Sequence, residues 1–354
     1  MIDLDNLEIY RQCDPSGMLV HLHDLPRQCR KAWLEASEFV LPPRFSDVDK
    51  VVICGMGGSA IGGDLLRSLA SKLNKPLVFV NRSYDLPAFA DSKTLVIASS
   101  YSGNTEETLS VFRQALNINC KKLAITTDGK LKNLARENGV PVFTIDYMSQ
   151  PRAALGYSFI PLVALLCKLG FLEDKSAQLE RMAQTLETLL HNLAENVATS
   201  LNPAKQLARK LVGKLVVIYG AGILSPVAQR WKGQFNENSK TWAFCETFSE
   251  LNHNAVVGYK FPGEMASKIY IILLRCSSLH PRILARYQIT SEILAKAGVG
   301  HEIIDSQGEG DLTQMMSLVF LGDWVSYYLA MLNQTDPTPV KMIDYLKQRL
   351  SNVK

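Results

Sequence analysis

The sequence has no C-x-x-C pair, no histidines set close to its cysteines, no block of basic residues and no uninterrupted apolar stretch of the roughly 20 residues that a bilayer span needs. Each absence narrows the possibilities. Cysteines at 13, 29, 54, 120, 167, 245 and 276 are odd in number and widely scattered. Neither a disulfide framework nor a cysteine-rich metal site is expected, and they read as reduced thiols of a cytoplasmic protein. The formal charge of +4 is spread along the chain. It lacks the basic stripe interleaved with aromatics that footprints nucleic acid, so no such partner is expected. The opening "MIDLDNLEIYRQCDPSG" has no basic region leading into an apolar one, so a signal peptide is not expected. The segment "FIPLVALLCKLGFL" (159–172) is broken by Lys168 and too short for a membrane span. A buried helix suits it better, with a start blurred by Pro151 and Pro161.

What is present is a repeat. "KVVICGMGGSAIGG" (50–63) and "KLVVIYGAGILSPV" (214–227) are both β-branched runs ending in G-x-G, with Gly55 and Gly57 recurring as Gly220 and Gly222. Each is followed by an amphipathic helical pattern and a second strand. Third strands follow, "SKTLVIASS" in one copy and "SKIYIILLRCSS" in the other. Strands alternating with helices of this length predict an α/β fold of two doubly wound parallel sheets with linking and terminal helices. The expected boundaries are an N-terminal helical segment (1–44), a first domain (45–165), a helical linker (166–203), a second domain (204–332) and a C-terminal helix (333–354). The N-terminal helix is expected over "LPRQCRKAWLEASEFV", from Leu25.

Ligands of such sheets sit beyond the carboxyl ends of the strands. The loop "GMGGSAIGG" lets backbone N–H groups approach an anion at a helix start. It also fits the dinucleotide pattern G-x-G-x-x-A, with Arg82 of "NRS" placed for a 2′-phosphate. A second loop favours a single phosphoryl group. In "SSYSGNTEET" (99–108), Ser100, Ser102 and Thr105 can turn hydroxyls inward while Gly103 allows the sharp turn into a helix. The plainer alternative is an ordinary helix cap, with Glu106 or Glu107 reaching back. Tyr101 and Glu106 are placed either to meet a ligand or to pack and cap. The second copy lacks the Gly-Asn-Thr turn but carries "QFNENSK" and "CETFSELNHN", with Glu237 at an expected helix C-terminus and His253 in a loop. A carboxylate and an imidazole are proton carriers, although a loop Glu or His is more often merely solvated.

Together, "GMGGSAIGGD", "SSYSGNTEET", "PRAALGYS", "NENSK", "ELNHN" and "DPTPVKMIDYLK" resemble, in order, the motifs of the bifunctional phosphoglucose/phosphomannose isomerases of the sugar isomerase (SIS) superfamily. The resemblance implies an isomerase of sugar 6-phosphates that uses no metal or organic cofactor. It implies a phosphate cradle of Gly58, Ser59, Ser100, Ser102 and Thr105. Arg152 would stabilise an enediolate, Glu237 would move a proton between C1 and C2, and His253 and Lys347 would assist ring opening, with Lys341 the alternative lysine. It further implies a homodimer, with the histidine supplied across the interface as in related isomerases. No membrane partner is implied.

Overall fold

The computed structural model describes residues 2–352. Ahead of the first sheet lie α1 (Glu8–Cys13) and α2 (Met18–Glu38). α2 starts at Met18 rather than at the expected Leu25, because the Asp14 carboxylate accepts the N–H groups of Met18 and Leu19, each at 2.8 Å. That satisfies two of the donors a helix start leaves open. Pro26 is carried inside the helix at the cost of one backbone hydrogen bond.

The first unit runs β1 (Lys50–Cys54), α3 (Gly57–Leu69), β2 (Leu77–Asn81), β3 (Thr94–Ser99), α4 (Glu106–Leu116), β4 (Lys121–Thr126), α5 (Gly129–Glu137) and β5 (Val142–Thr144). All five strands are parallel, in the order β2-β1-β3-β4-β5. β3 is buried along its whole length, as a parallel strand covered on both faces must be. Cys54 at the end of β1 lies opposite Ala98 of β3, and the chain winds away in opposite directions from this pair of strands. Their loops therefore open onto a shared crevice, the place where such sheets take ligands.

Next come α6 (Leu155–Lys168), α7 (Ser176–Leu193) and α8 (Pro203–Leu211). The second unit follows as β6 (Leu215–Gly220), α9 (Ser225–Glu237), β7 (Ala243–Thr247), β8 (Ile269–Arg275), α10 (Pro281–Lys296) and β9 (Gly300–Asp305). Its parallel order β7-β6-β8-β9 repeats that of the first sheet without the fifth strand. The chain closes with α11 (Asp311–Leu332) and α12 (Lys341–Leu350).

α6 is the buried helix expected around 159–172, with every residue from Leu155 to Leu166 inside the protein. α11 went unnoticed in the sequence. Among the described residues it is the one helix long and apolar enough to cross a membrane, yet nearly all of it is buried against α2, α7, α8 and α9. α3 packs on both α6 and α9, so the end of β1 in the first unit meets the helix that ends in Glu237 in the second.

Candidate active site

The cradle forms where the loops after β1 and β3 meet. Gly57 has a left-handed backbone (φ 48°), and α3 starts there with no side-chain cap. The N–H groups of Ser59 and Ala60 already bond Met56 O, and those of Gly57 and Gly58 meet no capping side chain, the condition under which a helix start receives an anion. Ser59 Oγ accepts from Tyr101 N at 3.1 Å, tying the two loops together. Ser100 Oγ and Thr105 Oγ1 are 2.9 Å apart, and Ser102 Oγ accepts from Asn104 N at 3.3 Å. Gly103 makes the expected turn at φ 65°, where a Cβ would fall 1.7 Å from Asp128 O. The capping alternative for α4 is not realised. Thr105 makes no side-chain cap, because its hydroxyl is spent on Ser100, and Glu106 turns away to accept from Tyr84. Tyr101 packs: its hydroxyl donates to Tyr147 O and accepts from Ser149 N. Hydroxyls and N–H groups make a lining that suits an anion.

Nor is Arg82 free for a 2′-phosphate. Its guanidinium is paired with Asp64, a carboxylate with 1% of its side chain exposed on α3. The feature that favoured a dinucleotide is thus an internal ion pair.

Gly58 connects the cradle to the second part of the site. A Cβ there would lie 2.9 Å from the carbonyl carbon and oxygen of Pro151 and 3.0 Å from Arg152 N. The "PRA" turn therefore rests directly on the helix start. Arg152 is 3% exposed, and all its nitrogens are engaged. Nε donates to Asn238 Oδ1 at 2.7 Å, Nη2 to Pro337 O at 2.6 Å and Thr338 O at 2.8 Å, and Nη1 to Glu237 Oε2 at 3.3 Å. Burial presses the Arg152 pKa below its usual value, the Glu237 carboxylate opposes this and the Arg230 charge adds to it. Arginine stays charged regardless. Glu237 ends α9 as expected, half-buried, with its carboxylate toward Arg152.

The structure does not bring His253 or Lys347 to this pair. His253 ends a short 3-10 turn after β7 and is exposed; among the described residues no hydrogen bond or ion pair joins it to Arg152 or Glu237. Lys347 and Lys341 belong to α12, of which no residue is buried. Sequence reasoning missed Asn238 and Lys240, although both stand in the quoted "NENSK". Lys240 adopts φ 54°, and its Nζ donates to Glu237 O at 2.5 Å and Pro337 O at 3.1 Å. Lys240 as a whole is exposed, but its ammonium is turned in against the carbonyls of Glu237 and Pro337; the desolvation there first, then the Arg152 charge, lowers its pKa to about 8. It also missed the buried pair Arg230–Asp323. Arg230 Nη2 donates to Asp323 Oδ2 at 2.7 Å and to Arg152 O at 3.0 Å. An arginine on the inner face of a helical pattern was the available signal.

The arrangement sets hydroxyls and the uncapped start of a helix beside a carboxylate–guanidinium pair, with elements of both units converging on it. Residues 200–350 match the family of the bacterial phospho-glucose isomerase C-terminal SIS domain. The chain is 47% identical over 338 residues to a bifunctional phosphoglucose/phosphomannose isomerase of Caldicellulosiruptor bescii, covering 95% of this chain and all of that one. It is 39% identical to one of Aquifex aeolicus, over 85% of this chain and 90% of that one. In fold it is similar to a glucose-6-phosphate isomerase like protein from Thermus thermophilus, with TM-score 0.65 and 18% identity over 97% of this chain and all of that one. With the six motifs in order and relatives matched along nearly their whole length, the chain belongs to the bifunctional phosphoglucose/phosphomannose isomerase family.

Proposed function

We propose that the protein interconverts fructose 6-phosphate with glucose 6-phosphate and with mannose 6-phosphate by proton transfer through an enediol, without a metal or organic cofactor. The observation that carries this reading is the contact of Arg152 Nη1 with Glu237 Oε2 at 3.3 Å beside an anion-binding cradle. The 6-phosphate binds to Gly58, Ser59, Ser100, Ser102 and Thr105, and this remote contact holds the open chain in line with the reacting groups. Glu237 takes the proton from C2 of the aldose, and Arg152 stabilises the charge that develops on the carbonyl oxygen. Return of the proton to C1 gives the ketose. In the reverse direction, protonation of the planar enediol at either face of C2 gives the two epimeric aldoses.

The sugar must first open, which moves a proton from the anomeric hydroxyl to the ring oxygen. We assign this to His253, delivered by the partner subunit of a homodimer, and to Lys347. The exposure of His253, which makes no hydrogen bond or ion pair to Arg152 or Glu237 among the described residues, supports that assignment. Seven free thiols support a cytoplasmic location, where they stay reduced.

The test is incubation with fructose 6-phosphate in EDTA, followed by NMR of the sugar phosphates, with Glu237→Gln as control. Both aldose phosphates are expected with the native chain and neither with the variant. Binding without turnover by the native chain would replace the enzyme with a sugar-phosphate-binding module. An undiminished Glu237→Gln would remove the assigned base.

A further inference from the structure

The geometry points to Asn238, backed by Ser326 and by the buried Arg230–Asp323 pair, as the positioning residue that makes Arg152 work through its Nη1 nitrogen alone. This rests on the roles proposed above for Arg152 and Glu237. Arg152 is held at two levels. Its backbone carbonyl accepts from Arg230, which Asp323 fixes through Oδ2, while Asp323 Oδ1 accepts from Gln234 Nε2 at 2.9 Å. Its side chain is held by Asn238, which is fully buried at the end of α9. Asn238 Oδ1 accepts from Arg152 Nε, and Nδ2 donates to Ser326 Oγ at 3.0 Å. The Ser326 hydroxyl in turn donates to Asp323 O at 2.8 Å. With that proton committed, Ser326 can only accept from Asn238, which fixes the amide with its oxygen toward Arg152.

The consequence lies in which guanidinium nitrogen is left for chemistry. Nε is spent on Asn238 and Nη2 on the carbonyls of Pro337 and Thr338. Nη1 alone points at a side chain that reaches the crevice, the Glu237 carboxylate. Because Asn238 follows Glu237 directly, one helix end sets both the base and the direction of the cation. Losing the Nε contact leaves the guanidinium held through Nη2 alone, so it can pivot on the Pro337 and Thr338 carbonyls and carry Nη1 away from Glu237. It does not touch the cradle. The defect should therefore fall on proton transfer rather than on phosphate binding.

The experiment compares Asn238→Ala and Ser326→Ala with native enzyme, Glu237→Gln and Arg152→Ala, using glucose 6-phosphate and its 2-deuterated form. Asn238→Ala is expected to lower kcat by about 10²-fold, the scale of an ångström-sized misplacement. KM should stay close to native, and the deuterium isotope effect on kcat should rise as proton abstraction becomes slower than other steps. Ser326→Ala, which reaches Arg152 only through Asn238, should change in the same direction by less, and serves if Asn238→Ala does not fold. Native kcat in both variants would overturn the inference, as would a loss of kcat with an unchanged isotope effect, which reports only fewer active molecules. Full activity of Glu237→Gln and Arg152→Ala would instead overturn the site reading beneath it.

Discussion

At the scale of single residues, Arg152 is held against Glu237 by groups from distant parts of the chain. Gly58, Ser59, Arg152 and Glu237 stand in short motifs whose residue types suit anion binding and proton transfer. Asn238, Arg230 and Asp323 matter through contacts with elements distant along the chain, and a buried polar partner has no local signature. Gly58 shows the difference: its place in a loop suggested access to an anion, while the structure adds the backbone of Pro151 and Arg152 against its α-carbon. Gly58→Ala should consequently displace the Arg152 turn. We expect a stability loss of about 1–3 kcal/mol in urea melts, with turnover reduced far more than stability. Native turnover would show that the turn yields without moving Arg152. Lys240 allows a second test. Desolvation of its ammonium is the main cause of its depressed pKa of about 8, and the Arg152 charge is the next. Arg152→Met should then raise its titration midpoint, followed by NMR of labelled lysine, yet leave it below the ordinary 10.5. Recovery of the full value would refute desolvation as the main cause. The sign for stability follows: between about 8 and 10.5 the folded chain sheds this proton before the unfolded one does, so this group makes stability rise with pH there.

At the scale of elements, period and punctuation went far. β-branched runs ending in G-x-G located β1 and β6, and the hydroxyl-rich loop located the start of α4. Of the helices missed or misplaced, two show opposite reasons. α2 is expected from Leu25, seven residues late, because its start is set by Asp14, which lies outside the apolar pattern. α11 is apolar on all sides, so no helical stripe stands out, and its burial on four helices is a tertiary property. A third element is held by a residue that looks ordinary in sequence. Lys205 of α8 is completely buried, and its ammonium donates to Leu4 O, Glu195 O and Val197 O at 2.8 Å each and to Asp5 Oδ1 at 3.0 Å. It also lies over the rings of Tyr10 and Tyr328. Lys205→Met leaves those carbonyls without a donor and unties the first residues from the helical layer. The expected cost is about 3 kcal/mol, read in urea melts, with faster proteolysis before α2. A loss under about 1 kcal/mol would mean that water replaces the ammonium at all four oxygens.

At the scale of the whole molecule, the repeat foretold two parallel sheets, which share one strand order apart from the fifth strand. Ser59, Ser100 and Thr105 lie on the first unit and Glu237 at the end of a helix of the second, and the packing of α3 on α9 brings the two parts together. Lys240 stands beside the Arg152–Glu237 pair, whereas His253 and Lys347, the two groups assigned to ring opening, make no hydrogen bond or ion pair to it among the described residues. His253 is exposed beyond β7, the edge strand of its sheet, and α12 carries Lys347 on a helix with no buried side chain while Met342, Tyr345 and Leu346 stand exposed. A site assembled from two chains makes a quantitative demand. In a homodimer whose site combines Glu237 of one subunit with His253 of the other, Glu237→Gln and His253→Ala chains are each inactive alone. A mixed dimer, however, has one site carrying both lesions and one carrying neither. Random re-pairing of equal amounts makes half the dimers mixed, each with half its sites native, so about a quarter of native activity should return. The mixture is to be unfolded and refolded together, with dimer exchange confirmed by native mass spectrometry. Activity near that level requires His253 to act across the interface. Exchange without recovery would place His253 and Glu237 in the same subunit's site, and the loop after β7 would then have to fold toward α9 when substrate binds.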